Sequence, residues 1–406
     1  MHDEITIGAR IRALRRWRGM SLDELAGLSG LSKATLSRME NGKLALDRRS
    51  HISAIASALR VSETDLVGGP HLSQDPVQSG PHAAIPALRV ALQTNTLTDA
   101  AADRARPVAE LRRVLDEVVL PSWRTADYMS MGAEVPDLID ELHHHVAAPA
   151  DEAVHRAALS ALIDALHFAY VLGKNLNYMD LAHVAASRAT DAANLLGDPV
   201  QLGKAKFQLV LSAPREGSWR RVLDLAEKAA NDLQPYARDE LGVQVLGMST
   251  LNVALAAAAL NDADSARHWL AEAEELARRV PDAPLKAWMA FSATNVKLWQ
   301  IAIGVELGQS SGEIAKVAQG VNPTKLDALP YRKSGFFADT GRALARDPKT
   351  RADATRWLLR AEEAAPQFAR NNPRIRESIA VMLEQARIAS QGRELRGMAA
   401  RMGLPH

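Results

Sequence analysis

Cysteine is absent from this 406-residue sequence, which excludes disulfides and thiolate metal sites. The commonest sign of an oxidising compartment is therefore missing, and a cytoplasmic location is favoured. Aromatic residues make up only 4% of the chain, and runs of strand-favouring residues are nearly missing, whereas alanine and leucine are abundant. The composition predicts an all-α protein.

Long apolar runs and catalytic motifs are also missing. No window reaches the roughly 18 apolar residues of a membrane span, and the N-terminus lacks the apolar core of a signal peptide. The motifs G-x-x-x-x-G-K-[ST], G-x-S-x-G and H-E-x-x-H do not occur. We therefore expect no enzyme activity, no catalytic residue, no cofactor and no membrane partner.

A run of three histidines, residues 143–145, suggests a metal site. Asp140 and Glu141 each lie four residues before one of these histidines, so each such pair shares a helical face. Successive histidines point to different faces of a helix, however. We expect no metal site.

The net charge of +1 is divided unevenly along the chain. Residues 7–60 carry 11 Lys and Arg against four acidic residues, which gives +7. The rest carries 38 basic and 44 acidic residues, which gives −6. A small basic segment joined to a larger acidic body indicates a nucleic-acid module attached to a part with another task. A solvated basic face would give the same distribution.

The basic segment has the pattern of five short helices. Residues 7–18 place apolar side chains at i, i+4 and i+7. Ser21 and Glu24 form a capping box at the start of a second helix, and Ser32 begins a third. Two more helices follow within residues 50–67. Together they predict one compact domain.

Composition changes after this domain. Residues 68–86 contain four prolines, three glycines and no lysine or arginine, which predicts a flexible linker. The chain is therefore divided into an N-terminal domain of residues 1–67, this linker and a helical domain of residues 87–406.

The pattern L-x-x-A-E-x-x-A recurs in the helical domain. Three copies and one degraded copy begin at Leu223, Leu270, Leu358 and Ala186. Small alanines let antiparallel helices approach closely, while leucine fills the wider gaps. Roughly residues 150–390 resemble tetratricopeptide-like repeats, with a period longer than the standard motif of about 34 residues. The resemblance implies an α-solenoid of helix pairs, and a generic alanine-rich bundle is the alternative. Outside the resemblance, residues 87–150 are expected to form a leading helical pair.

The segment "SLDELAGLSGLSKATLSRMENGK" gives the most specific signal. It combines Ala26, the turn glycine Gly30, the apolar Leu36 and the closing Glu40, Asn41 and Gly42. Residues 7–67 resemble the helix-turn-helix domain of the XRE family of phage-repressor-like transcriptional regulators. The resemblance implies a lambda-repressor-like fold that binds double-stranded DNA, with a homodimer on an inverted-repeat operator.

The third helix is expected to enter the major groove, where N-terminal residues of such a helix meet base edges. The apolar Leu36 and Met39 would hold it to the domain. The expected base readers on its outer side are Lys33, Ala34, Ser37 and Arg38. Lys33 and Arg38 are preferred because lysine and arginine donate to guanine O6 and N7.

Phosphate contacts are expected at helix starts and loops, where N–H groups and hydroxyls are free. Ser21 and Ser32 occupy such starts. By their position in the resembled family, further phosphate contacts fall on Asn41, Lys43, Arg48 and Arg49. Asp47 interrupts this basic run.

The same resemblance implies an internal ion pair between Arg15 and Glu40, which would tie the first helix to the third. Its effect on DNA binding is expected to be indirect.

Resemblance to regulators in which an XRE domain precedes tetratricopeptide-like repeats implies sensing, because a concave solenoid face can hold a peptide or small molecule. Asparagine suits a peptide backbone since its amide both donates and accepts. The candidate ligand contacts are Asn252, Asn295, Trp288 and Trp299. The repeats are also expected to mediate dimerisation. The alternative is a protein-interaction scaffold without a small ligand.

Overall fold

The fold is seen in a computed structural model that describes residues 6–70, 76–102, 104–213, 218–386 and 392–405. Within these ranges the regular secondary structure is helical throughout. The all-α prediction is confirmed.

Five short helices form the N-terminal domain. Helices α1 to α5 span Ile7–Trp17, Leu22–Ser29, Lys33–Glu40, Arg49–Leu59 and Glu63–Val67. The capping box of Ser21 and Glu24 begins α2, as expected. Leu36 and Met39 of α3 are buried in the apolar core of this domain. The five helices thus share one small apolar core.

Helix α1 crosses α3 at close range because residue 8 is glycine. A Cβ atom at Gly8 would lie 1.9 Å from the carbonyl oxygen of Met39. No side chain fits in that space, so the contact of the two helices depends on this glycine.

Helices α6 to α10 connect the N-terminal domain to the repeats. They span Pro76–Ser79, Ile85–Thr94, Val108–Val114, Leu120–Thr125 and Tyr128–Ala147. A 3-10 turn, Gly80–Ala84, joins α6 to α7, and a π-helical turn, Leu115–Val119, joins α8 to α9.

The flexible linker expected over residues 68–86 is not found over residues 76–86, and residues 71–75 lie outside the described ranges. From Pro76 onward the chain is helical, and Gln78, His82 and Ile85 are buried. Proline occupies one of the first two positions of the 3-10 segment and of α7. The backbone N–H groups at these positions make no hydrogen bond within the helix, so proline can replace other residues there without losing one. The proline content was therefore a sign of helix starts rather than of flexibility.

The repeat domain continues with ten helices in successive pairs. Helices α11 to α20 span Glu152–Asn175, Met179–Leu196, Pro199–Ser212, Trp219–Leu233, Glu240–Ala259, Ala263–Arg278, Ala293–Leu307, Ser311–Gln319, Pro330–Ala345 and Arg351–Ala364. Each odd-numbered helix packs on the even-numbered helix that follows it and on the next odd-numbered helix. Three helices close the chain: α21 to α23 span Pro366–Asn371, Pro373–Ala386 and Arg393–Arg401.

The alanine pattern of the sequence marks the second helix of a pair. Its copies begin on α14, α16 and α20, and the degraded copy lies on α12. Ala226, Ala273 and Ala361 are buried, as close helix packing requires. Their small side chains let the even-numbered helices approach the odd-numbered ones.

Two helices of the described residues, α11 and α15, are long and apolar enough to cross a membrane by length and composition. This differs from the expectation that no window of the sequence would qualify. In the fold, 78% and 94% of their apolar windows are buried inside the protein. Their apolar character is explained by a central position in the repeat core.

Candidate functional site

Helix α3 presents an exposed polar face on the N-terminal domain. Lys33, Ala34 and Arg38 are exposed, whereas Ser37 is half-buried. Asn41 donates from Nδ2 to the backbone oxygen of Ser37 at 2.7 Å. Three of the four expected base readers are thus exposed, and we call the surface formed by all four the α3 face (Lys33, Ala34, Ser37, Arg38).

Lys33 already has a partner on the neighbouring helix. Its Nζ lies 2.8 Å from Oδ2 of Asp23 on α2, and both side chains are more than half exposed. Exposed pairs of this kind contribute on the order of 0–1 kcal/mol, so a base or phosphate can displace Asp23 at little cost.

The α3 face is bordered by exposed helix starts. The hydroxyl of Ser21 accepts from the backbone N–H of Glu24 at 3.1 Å, and that of Ser32 accepts from Thr35 at 3.1 Å. Ser21, Ser32, Asn41 and Lys43 are all exposed. These groups lie where phosphate contacts are expected.

Arg15 and Glu40 face each other across α1 and α3. Nε of Arg15 lies 2.7 Å from Oε1 of Glu40, and Nη2 lies 2.8 Å from Oε2. The hydrogen bonds and charge of Glu40 raise the pKa of Arg15 above its ordinary value. This two-pronged pair holds α3 against α1, which orients the α3 face.

The side of the N-terminal domain that carries the start of α4 is packed against the repeat domain. Arg48 and Arg49 are half-buried in this contact, and Nη1 of Arg49 lies 3.8 Å from Oε2 of Glu306 on α17. These two arginines are therefore partly covered by the repeat domain, whereas Asn41 and Lys43 are exposed. In this arrangement they contact protein, and their expected role at phosphates remains a prediction for an undocked domain.

Glu306 supplies the cap that α4 lacks in its own sequence. The N-cap residue Arg48 makes no side-chain capping bond. Oε2 of Glu306 accepts from the N–H of Arg49 at 3.0 Å, and Oε1 accepts from the N–H and hydroxyl of Ser50 at 2.8 and 2.5 Å. Burial opposes ionisation, but Arg49 and these hydrogen bonds outweigh it and lower the pKa of Glu306. A repeat-domain carboxylate thus completes a helix of the N-terminal domain.

A buried ion pair lies beside this cap. Nε and Nη2 of Arg346 donate to the two carboxylate oxygens of Asp47, each at 3.0 Å, and Arg342 donates to the Asp47 backbone oxygen at 2.9 Å. Burial alone would raise the pKa of Asp47, but the two guanidinium groups hold it below its ordinary value. Asp47, which appeared only to interrupt a basic run, is a docking residue.

Glu377 on α22 makes the third polar contact between the domains. Its Oε2 accepts from the N–H of Ile7 at 2.7 Å and its Oε1 from that of Leu46 at 3.3 Å. Burial raises the pKa of Glu377 to about 7. Gln385, on the same helix, donates to the backbone oxygen of Gly42 at 2.9 Å.

Sequence reasoning missed these docking carboxylates. One signal was available, because α4 begins at an arginine that cannot cap a helix. An uncapped start in a basic domain suggests a carboxylate from elsewhere, although nothing local identifies Glu306 as its source.

A cavity of about 310 Å³ lies between the docked domain and the repeats. The N-terminal domain contributes Arg49 and Ile52 of α4 and Glu63, Thr64 and Val67 of α5 to its wall. The odd-numbered helices α11 to α19 supply most of the opposite wall. A second cavity of about 450 Å³ shares Trp123 and Tyr331 with the first and is lined by Trp288.

The four expected ligand contacts are not brought together. Trp299 lines the first cavity and Trp288 the second. Asn252 is buried and donates from Nδ2 to the backbone oxygen of Phe207 at 3.1 Å, while Nδ2 of the buried Asn295 lies 3.3 Å from Sδ of Met248. The two asparagines join neighbouring odd-numbered helices, and their role at a ligand stays a prediction.

The histidine run is also divided among separate contacts. Nδ1 of His143 lies 2.7 Å from the oxygen of Ile139, Nδ1 of His144 lies 2.9 Å from that of Ala102, and Nε2 of His145 lies 2.7 Å from that of Arg106. Among the described residues no group of three metal-ligating side chains occurs.

Comparisons with known proteins identify the N-terminal domain. Residues 6–67 match the family described as "Helix-turn-helix domain". A Bacillus subtilis protein, the uncharacterized HTH-type transcriptional regulator RghRB, is 38% identical over 60 residues, which is 15% of this chain and 43% of that protein. The HTH-type transcriptional repressor RghR of the same organism is 39% identical over 56 residues, 14% of this chain and 42% of the repressor.

The chain thus spans less than half the length of the curated relatives that it matches. A crystal structure of Bacillus thuringiensis PlcR with the peptide PapR7 and DNA aligns over 82% of this chain and 95% of that chain, at 13% identity and a TM-score of 0.32. The family match and the five observed helices agree: residues 6–67 form a helix-turn-helix domain.

Proposed function

We propose that this chain is a sequence-specific DNA-binding transcriptional regulator whose repeat domain senses a small molecule or peptide and mediates dimerisation. The observation that carries the proposal is the exposed α3 face on a helix-turn-helix domain whose other side is docked on the repeats. The two Bacillus subtilis relatives named as HTH-type regulators support it through the same domain.

The chemistry of the α3 face suits base reading. Arg38 and Lys33 carry exposed donors for guanine O6 and N7, and the Ala34 methyl group can contact a thymine methyl. Ser21, Ser32, Asn41 and Lys43 border this face with hydroxyl, amide and ammonium donors for phosphates. Arg48 and Arg49 would join them only after the domain leaves the repeats.

The small size of this surface supports the proposed dimerisation. One helix of eight residues reads one short half-site, and such domains bind firmly when two half-sites about one helical turn apart are engaged together. We assign the dimer contact to the repeat domain, because the N-terminal domain is small and part of its surface is occupied by docking.

The test is genome-wide mapping of sites bound by the full chain, followed by binding measurements on the recovered sequences. Replacing Arg38 by alanine is expected to relax discrimination at one base pair by about 1–3 kcal/mol. Arg356→Ala, an exposed arginine on α20, is the control and should leave discrimination unchanged. Unchanged preference in Arg38→Ala would remove Arg38 from the base readers, and recovery of no specific sites would refute DNA regulation.

Dimerisation and sensing are tested separately. Mass photometry of the full chain with a recovered operator should show two chains per site; one chain per site would contradict the dimer. Native mass spectrometry of protein purified from its own host should reveal a bound molecule. Persistent absence of one, together with recovery of a protein partner, would favour the scaffold alternative.

A further inference from the structure

The first cavity gathers much of the aromatic content of an aromatic-poor chain. Seven aromatic side chains line it, including Trp123, Tyr170, Phe207, Trp299 and Phe336. Its volume of about 310 Å³ falls near the lower end of small-molecule sites, which measure about 300–1,000 Å³. The walls therefore offer a large apolar surface to a ligand with a ring or a branched chain.

Positive charge exceeds negative charge on the same walls. The basic lining residues are Arg49, Lys174, Arg332 and Arg374, and the acidic ones are Glu63 and Asp339. Asp339 is hydrogen-bonded to Arg342, and Arg49 pairs with Glu306; both partners lie outside the lining. The cavity thus combines an apolar surface with an excess of cationic groups.

Arg374 stands out among these cations. It lies in the first turn of α22, at the positive end of the helix dipole, and only its backbone makes hydrogen bonds to the described residues. Arg332, by contrast, donates to the Met289 oxygen at 2.6 Å and to the Tyr331 hydroxyl at 3.2 Å. Arg374 therefore lines the cavity with a guanidinium group whose N–H groups donate no hydrogen bond to the described residues.

The two carboxylates whose charges act on Arg374, Glu306 and Asp339, are engaged elsewhere. Glu306 caps α4, and Asp339 is bonded to Arg342. Burial, followed by the charges of Arg49 and Arg342, lowers the pKa of Arg374 well below its ordinary value. An anion placed here would stabilise the charged guanidinium and relieve the repulsion among these arginines.

We propose that this cavity binds an amphipathic organic anion, whose acidic group pairs with Arg374 and whose apolar part lies against the aromatic walls. The inference rests on the proposed function and names the ligand class of its sensor. Because α4 and α5 form one wall, the ligand contacts both domains at once. It therefore binds the docked arrangement more tightly than an undocked one and holds the helix-turn-helix domain on the repeats.

The first experiment compares two probes that differ by a single acidic group. 1-Anilinonaphthalene-8-sulfonate is an aromatic anion, and N-phenyl-1-naphthylamine is the same ring system without the sulfonate. The full chain should bind the anion about tenfold or more tightly than the neutral amine, as expected for a charge-assisted pair. Equal affinities would overturn the proposal without any variant being needed.

Arg374→Met keeps an unbranched apolar side chain, shorter than that of arginine, and removes its charge. This variant should lose about tenfold or more in affinity for the sulfonate, with little change for the neutral amine. Arg220→Met, at an exposed arginine on α14, is the matched control and should bind both probes as the parent does. The Arg374→Met protein must first show the same thermal melt as the parent. If its affinities for the two probes then fall equally, Arg374 has no charge-specific role.

Displacement of the sulfonate then distinguishes two sources of the acidic group. 4-Phenylbutyrate represents a free organic acid, and the dipeptide leucyl-phenylalanine, with a free or an amidated C-terminus, represents a peptide. Displacement by the butyrate supports a small acid. Displacement by the free-acid dipeptide but not by its amide supports a peptide terminus. No displacement by any of them would overturn a carboxylate ligand.

Hydrogen exchange measures the coupling to docking. The sulfonate should slow amide exchange in α5, whose residues Thr64 and Val67 line the cavity. Unchanged exchange at saturating probe would overturn the claim that the ligand holds the domains together. These outcomes are independent of operator binding: a chain that binds no specific DNA would refute the proposed function while leaving the anion site intact.

Discussion

Replacing Glu306 by alanine should release the helix-turn-helix domain from the repeats. Glu306 accepts three hydrogen bonds from the first two residues of α4, and that helix has no cap of its own. The change removes an acceptor from the repeat domain without altering any residue of the DNA-binding domain. Its effect therefore falls on docking rather than on the α3 face.

The expected magnitude follows from those contacts. Losing a helix cap costs about 0.5–2 kcal/mol. Hydrogen bonds to a charged acceptor contribute about 1.5–3 kcal/mol each, offset by several kcal/mol for desolvating the buried carboxylate. We expect a net loss of about 2–3 kcal/mol, which is about 30- to 150-fold in the docking equilibrium.

Fluorescence energy transfer can measure this equilibrium, because the sequence has no native cysteine. Dyes on Arg16→Cys in α1 and Arg356→Cys in α20, both exposed positions, report the distance between the domains. Hydrogen exchange at Arg49 and Ser50 gives a second reading, since their N–H groups lose their acceptor. Transfer should fall, and exchange should accelerate, in Glu306→Ala.

Glu313→Ala is the matched control. Glu313 also caps a helix, but it does so at α18 within its own domain and is exposed. Transfer should remain at the parental level in this variant. If Glu306→Ala folds with unchanged transfer and unchanged exchange at α4, the carboxylate does not hold the domains together and the reasoning fails.

Three further predictions concern docking, DNA affinity and stability. Burial raises the pKa of Glu377 from 4.5 to about 7. The contribution of Glu377 to docking is therefore fully present below pH 4.5, and docking should weaken as the pH rises through 7. In Glu377→Gln, the energy-transfer assay should show a smaller dependence of docking on pH. Lys43→Ala should weaken binding to all DNA sequences alike and reduce by about 1 the slope of log affinity against log salt concentration. A loss that depends on the DNA sequence would contradict a phosphate contact. Gly8→Ala should destabilise the N-terminal domain by about 1–3 kcal/mol or more because its Cβ would clash with Met39, and an unchanged thermal melt would refute that close approach.

The N-terminal domain could be anticipated in detail because its signals are local. The capping box at Ser21 and Glu24 and the apolar Leu36 and Met39 lie within a few residues of the helices that they fix. The alanine pattern marked the second helices of the repeats for the same reason. Residues 68–86 misled because proline is compatible both with a linker and with the first turn of a helix.

The sequence by itself determined the helical class, the helix-turn-helix domain and the alanine-spaced repeats, since each depends on spacing within one or two turns of helix. Only the tertiary structure decided that Arg48 and Arg49 face protein, that Asn252 joins helices, and that a cavity closed by both domains contains Arg374. Ile7 and Glu377 are 370 residues apart, and no local pattern encodes such a contact. It arises when the packed helix pairs bring distant side chains to one surface, where burial and charge then determine which of them pair.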